Sequence, residues 1–306
     1  MKLEGIHHIT AITGDAQRNV DFYAGTLGLR MVKKTVNQDA PSVYHLFYAD
    51  EEGSPGADLT FFEFRGAPPG RAGAGMVHRI VWRVASEEAL GFWAERLDGA
   101  GFASERADGS LTFADPEGLA HELAVVQTPD APLIADHPEV PREVALQGFH
   151  AARAYSVAPD ASAHLLDSLG FTGGGSEWEA RGEARGGQWF YDAPPEQPGT
   201  EAAGTVHHIA WGSQTPEHEA WRQRAMEGGA RPTPVIDRFW FKSIYFREPS
   251  GVLFEVATLG PGFSVDEDPE HLGEELILPP FLEDRREEIE QALVPVTNPR
   301  QAAATG

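Results

Sequence analysis

The residues best equipped for chemistry in this chain are two pairs of adjacent histidines and one isolated glutamate. His7-His8 lies in Gly5-Ile6-His7-His8-Ile9-Thr10, and His207-His208 lies in the near-copy Thr205-Val206-His207-His208-Ile209-Ala210. Glu255 follows in Gly251-Val252-Leu253-Phe254-Glu255-Val256, an apolar strand-like run whose single carboxylate needs a partner once buried. A divalent cation supplies one. Two histidines and one carboxylate, each carried on a strand, make the ligand set of an open mononuclear Fe(II) site. A lone strand histidine is ordinarily a hydrogen-bonded core residue. The parallel between the two pairs, with a carboxylate downstream, is what points to a metal.

The elements that must position these residues form a repeated unit. Four βαβββ modules are read at about 1–66, 76–127, 145–193 and 204–259, which makes the fold α+β. In the first, residues 6–12 read as a strand and Asp15 as the cap of a helix reaching Leu27, with Val20, Tyr23, Ala24 and Leu27 on one face and Gly28 as its end. Residues 29–36, 42–48 and 59–64 read as its remaining strands. Ser86 caps the second helix, with Ala89, Leu90, Trp93 and Leu97 as its apolar stripe. The third helix is placed near 159–169 and closed by Gly170, and Thr215-Pro216 opens the fourth. Gly/Pro-rich linkers at 66–75, 128–142 and 194–204 separate the modules. The long middle linker divides the chain into an N-terminal domain, 1–135, and a C-terminal domain, 143–260, each with two modules. A tail, 261–306, carries a short helix near 283–293 that docks through Ile289 and Leu293, and its last ten residues are expected to fray.

Aligning the first strands gives a recurrent histidine, His7, His78, His150 and His207, followed by His8, Arg79, Ala151 and His208. Neighbours on a strand face opposite sides. The recurrent histidine is therefore expected to be structural and the variable position to carry function, with His8 and Thr10 facing one cavity, as do His208 and Ala210. Modules one and four then share a site, and modules two and three have none. The last strands offer Glu63, Glu122 and Glu255 at matching places, while module three ends near Phe190-Tyr191-Asp192 without a match. With Glu63 as a fourth ligand the site would be a closed His2Glu2 set suited to a lyase or isomerase; without it, a facial triad with open positions. His45, His78, His121, His137, His150, His164, His218 and His271 are assigned to structural or surface places, and Trp82, Trp93, Trp178, Trp189 and Trp221 to cores.

Composition narrows the partners. Lys+Arg 24 against Asp+Glu 47 gives a formal charge of −23 over 306 residues, which disfavours nucleic acid and anionic membrane. The absence of cysteine removes disulfides, thiolate ligands and a cysteine nucleophile. No signal peptide is read before the first strand, and no apolar run is long enough to span a bilayer, so a cytoplasmic protein is expected. A homo-oligomer is compatible with these features.

The βαβββ unit with Phe22-Tyr23 and Leu27-Gly28-Leu29 resembles the vicinal oxygen chelate superfamily of glyoxalases and extradiol dioxygenases. Leu27-Gly28-Leu29-Arg30-Met31-Val32-Lys33-Lys34-Thr35-Val36-Asn37, Tyr44-His45-Leu46, Leu59-Thr60-Phe61-Phe62 and the tail residues Leu272-Gly273-Glu274, Leu278-Pro279-Pro280 and Arg285-Arg286 resemble its hydroquinone ring-cleaving dioxygenases. The likeness spans nearly the whole chain. It implies two cup-shaped mixed-sheet domains, an Fe(II) cofactor (Mn(II) as a substitute), and a small aromatic substrate opened with O2. It implies His8, His208 and Glu255 as metal ligands, with Tyr245, Arg238, His7, His207 and Thr10 around them. A glyoxalase-like lyase or isomerase using Glu63 with Zn or Ni, and an aromatic-binding resistance protein, are the competing readings.

Overall fold

The computed structural model describes residues 1–299, and the expected frayed end falls mainly on 300–306, outside them. The four modules form as their local signals dictate. Asp15 accepts from the Arg18 N–H and starts α1 (Ala16–Val20), which widens into a π-helical turn at Asp21–Thr26 that buries Phe22, Tyr23 and Ala24. Gly28, at φ 70°, then reverses the chain. Ser86 caps α2 (Glu87–Gly99) through the Ala89 N–H, and Ala89, Leu90, Trp93 and Leu97 are its buried stripe. A 3-10 turn, Pro159–Ser162, leads into α3 (Ala163–Ser168), and another, Thr215–Glu217, leads into α4 (His218–Glu227).

Around these helices run β1 (Ile6–Thr13), β2 (Arg30–Asn37), β3 (Ala40–Ala49) and β4 (Asp58–Glu63) in module one. Module two has β5 (Val77–Val84), β6 (Ser104–Ala107), β7 (Ser110–Ala114) and β8 (Ala120–Val125). Module three has β9 (Phe149–Tyr155), β10 (Thr172–Gly174), β11 (Glu177–Arg181) and β12 (Gly186–Asp192). Module four has β13 (Val206–Ser213), β14 (Ile236–Asp237), β15 (Lys242–Arg247) and β16 (Leu253–Thr258). They build two eight-stranded mixed sheets, β14-β15-β16-β13-β1-β4-β3-β2 and β10-β11-β12-β9-β5-β8-β7-β6. Each sheet is thus one module from each half of the chain: one and four in the first, two and three in the second. The sheets do not follow the division at the middle linker, because first strands pair antiparallel across halves, β1 with β13 and β5 with β9.

These central pairings correct the simple alternation read from sequence. Pairing steps from Ile6↔Trp211 to His8↔Ala210 and from Thr10↔His208 to Ala11↔Val206, leaving His7 and His207 as extra residues. In the second sheet it steps from Val77↔Ala154 to Arg79↔Arg153 and from Val81↔Ala151 to Trp82↔Phe149, leaving His78 and His150. The recurrent histidine is the bulged residue of every module. A bulge re-aims side chains, so His7 and His8 are not confined to opposite faces.

The sheets meet where Gly5, at φ 69°, passes so close to Gly186 that a Cβ would lie 2.5 Å from its carbonyl oxygen. Trp189 reaches Trp211 and Phe254 across this contact. Trp82, Trp93, Trp178, Trp189 and Trp221 are all buried. The tail is held by buried Lys33, which pairs with Asp266 and Glu267, and by Ile289 and Leu293, buried from α5 (Arg286–Ala292) and just beyond it. Among the described residues no helix is long and apolar enough to cross a membrane.

Candidate metal centre

His8 on β1, His208 on β13 and Glu255 on β16 are brought together, all buried. His8 Nε2 and His208 Nε2 lie 3.3 Å apart, and Glu255 Oε2 lies 3.2 and 3.0 Å from them. Three donors held about 2.1 Å from one cation at right angles would stand about 3.0 Å apart. The triangle is of that size.

The hydrogen bonds behind the triangle fix where the lone pairs point. His7 Nε2 donates to the Thr258 carbonyl at 3.1 Å, so in the neutral ring its Nδ1 is an acceptor. The 2.9 Å contact between His7 Nδ1 and His8 Nδ1 is then donated by His8, which leaves the His8 Nε2 lone pair facing the other two groups. His207 Nδ1 meets His208 Nδ1 at 2.8 Å. Ser243 on β15 donates to Glu255 Oε1 at 2.5 Å, and Glu255 Oε2 is buried without a hydrogen bond among the described residues.

Burial brings the His7 imidazole down to about 3 and His208 to about 4, so both are neutral near pH 7. Burial pushes the Glu255 carboxyl upward, but the neighbouring His8 and His208 outweigh it and hold the group well below the ordinary carboxylate range. Two buried imidazoles and one buried carboxylate with an orphaned oxygen are suited to a divalent cation.

The triangle opens onto a pocket that His8 and His208 help to line. Phe47, Phe62, Trp240 and Phe241 form its aromatic walls, and Asn37, Gln38 and Asp39 line its rim. Tyr245 and Arg238 line it as well. The Arg238 guanidinium lies 5.5 Å from the Tyr245 ring and donates to Asp39 at 2.9 Å. Burial, then the Glu255 charge, raises the Tyr245 pKa, so the phenol keeps its proton. Thr10 accepts from Thr60 at 2.8 Å.

Glu63 is elsewhere. Register places Thr60 opposite Thr10, Glu122 opposite Val81, Phe190 opposite Arg153 and Glu255 opposite Ala210. The residue equivalent to Glu255 in module one is therefore Thr60, and Glu63, three positions on, accepts from the Ala16 N–H at the start of α1. The match of Glu63 to Glu255 fails because a strand's pairing partner is invisible in the strand itself. Sequence reasoning also missed Ser243 and His45. His45, assigned there to a structural or surface place, lines the cavity. The signal for both was available only through register: position 243 pairs with 257 and position 45 with 62, so the two are equivalent in their modules.

Comparison with known proteins agrees with this geometry. A family profile described as the Glyoxalase/Bleomycin resistance protein/Dioxygenase superfamily matches residues 5–123. The chain is 40% identical to "Putative ring-cleaving dioxygenase MhqO" of Bacillus subtilis over 96% of its own length and 97% of that protein. It is 36% identical to "Chlorohydroquinone/hydroquinone 1,2-dioxygenase" of Sphingobium indicum, covering 94% and 95% of the two chains. A crystal structure titled as a putative dioxygenase from Bacillus subtilis superposes with TM-score 0.87 at 39% identity, covering 97% of this chain and 98% of that one.

Proposed function

We propose that this chain, which belongs to the ring-cleaving dioxygenases of the glyoxalase/bleomycin resistance protein/dioxygenase superfamily, opens hydroquinone rings with O2 at an Fe(II) centre. The observation that carries the reading is the buried triangle of His8, His208 and Glu255 on the wall of an aromatic cavity. Fe(II) held there would supply open positions at which a substrate oxygen and O2 meet, and a path for electrons between them. Mn(II) suits the same donors. We place the activity in the cytoplasm.

The remaining work falls to the chain itself. Phe47, Phe62, Trp240 and Phe241 hold a flat ring and exclude water from it. His7 and His207 keep the two ligand imidazoles in the tautomer that presents Nε2. Tyr245, kept as a phenol, donates to an oxygen that gains negative charge. Arg238 adds a positive charge on the same wall, and Thr10 fixes Thr60 beneath it. The lyase or isomerase reading required Glu63 as a fourth donor; the equivalent position holds the neutral Thr60.

The test is anaerobic loading with Fe(II), then hydroquinone and oxygen, following O2 uptake, product absorbance and bound iron. Wild-type protein is expected to consume oxygen, and His8→Ala and Glu255→Ala to lose iron and turnover together. Stoichiometric iron with full turnover in both variants would overturn the ligand set. An iron-loaded wild type that takes up no oxygen with any hydroquinone would overturn the substrate.

A further inference from the structure

Internal symmetry singles out a cavity residue that the site described so far does not use. In module four the side chain at 243 donates to the metal-facing carboxylate at 255. In module one the equivalent pair is His45 and Thr60, and His45 Nε2 lies 2.8 Å from Thr60 Oγ1. Thr60 directs its one proton to Thr10 Oγ1, also at 2.8 Å. A hydroxyl has a single proton to donate, so the contact with His45 must be donated by His45 Nε2–H. Burial holds His45 well below its ordinary pKa, so the ring is neutral. With its proton on Nε2, Nδ1 carries the lone pair.

That lone pair has no hydrogen-bond partner among the described residues, while the ring lines the cavity. The imidazole cannot turn freely. Its centroid lies 4.0 Å from that of Phe47 and 4.3 Å from that of Phe62. Of the other polar groups at the wall, Arg238 is tied to Asp39 and Tyr245 keeps a donor hydroxyl. At the rim, Asn37 Oδ1 accepts from the Asp39 N–H and the Asp39 carboxylate from Arg238; the acceptor held between the rings of Phe47 and Phe62 is His45 Nδ1.

We propose that His45 is the specificity residue for the substrate's remote hydroxyl: its Nδ1 accepts a hydrogen bond from the ring O–H that does not face the metal. This rests on the hydroquinone reading above. It explains how a site with one open metal face selects a ring with hydroxyls at opposite ends. An ether oxygen at that end has no proton to offer and leaves the acceptor unpaired in an apolar wall.

The experiment compares hydroquinone with 4-methoxyphenol and phenol, by anaerobic calorimetric binding to the Fe(II)-loaded enzyme and by oxygen uptake. Wild type is expected to bind hydroquinone at least about tenfold more tightly than either analogue, the size of one buried hydrogen bond. Two variants separate recognition from propping. The His45→Gln amide reaches the Nε2 position and keeps the Thr60 contact, with nothing at Nδ1; His45→Asn does the reverse. Recognition predicts that H45Q loses the preference, to within about threefold, with unchanged iron content, and that H45N keeps part of it. A merely structural His45 predicts the opposite order, and that order overturns the proposal. So does a wild type that binds the three phenols alike. Failure of oxygen uptake with the binding preference intact would instead strike the dioxygenase reading and leave His45 as a recognition residue.

Discussion

The two sheets share strand order and all four bulged histidines, yet they fill their equivalent positions in opposite ways. In the first, His8, His208 and Glu255 leave a cation-sized gap. In the second, the places of the two histidines hold Arg79 and Ala151, while Glu122 stands where Glu255 does. Arg79 donates to Glu122 at 3.0 Å. Module two even carries Ser110 at the position of Ser243. A side-chain guanidinium thus supplies in one sheet the positive charge that a metal would supply in the other. Two residues, each directly after a bulge, decide between the outcomes.

The largest expected effect copies the second sheet into the first. His8→Arg should put a guanidinium against Glu255 and abolish metal binding and oxygen uptake. Its metal-free melting midpoint should stay within about 5 °C of wild type, the span of roughly 1–2 kcal/mol in a chain this size. Elemental analysis and thermal circular dichroism check both halves; retained metal would break the comparison. The converse, Arg79→His with Ala151→His, should complete a His-His-Glu set with Glu122 and raise divalent-metal binding to about two ions per chain by calorimetry. Stoichiometry unchanged at one would show that position alone does not make the site.

A smaller effect is expected from Ser243→Ala. Loss of the hydrogen bond that orients Glu255 should weaken metal affinity about 10–100-fold, with turnover restored by excess Fe(II). Competition with a metal-sensitive dye measures it.

A separate effect is a pH dependence of the metal-free protein. His7 and His121 are lowered by burial to about 3 and His208 to about 4, against 6.5 unfolded. The unfolded chain binds more protons between these values, so stability is full above about pH 6.5 and falls as pH drops toward 4. Each buried imidazole should cost about 2 kcal/mol at pH 5. Urea titrations at pH 5 and 7 test the slope. His121 lies under the second sheet, bonded to Tyr23 and Trp82, so His121→Gln should flatten the slope without touching metal content.

Much of this was legible in the sequence because the signals were local. Asp15, Ser86 and Gly28 mark chain reversals and caps, and helix periodicity names the buried stripe of Ala89, Leu90, Trp93 and Leu97. The approximate copies around His7-His8 and His207-His208 reveal which modules belong together. What stayed hidden depends on register. The bulges that turn His7 and His207 onto their neighbours break period-two reasoning, and they exist only in the pairing of β1 with β13. Glu63 looks like Glu255 until β4 is laid beside β1, which puts Thr60 in that place. His45 and Ser243 gain meaning from what lies across from them on the next strand.

The pairing of β1 with β13 also sets a schedule for synthesis. At roughly 5–20 residues per second, the ribosome needs about 10–50 s to travel from His8 to Glu255. Until β13 emerges, about 200 residues after β1, β1 can pair only with β4, leaving its other edge bare, whereas β5 and β9 are close enough in the chain to close the second sheet early. The nascent protein therefore has no place to capture a cation until its final module emerges.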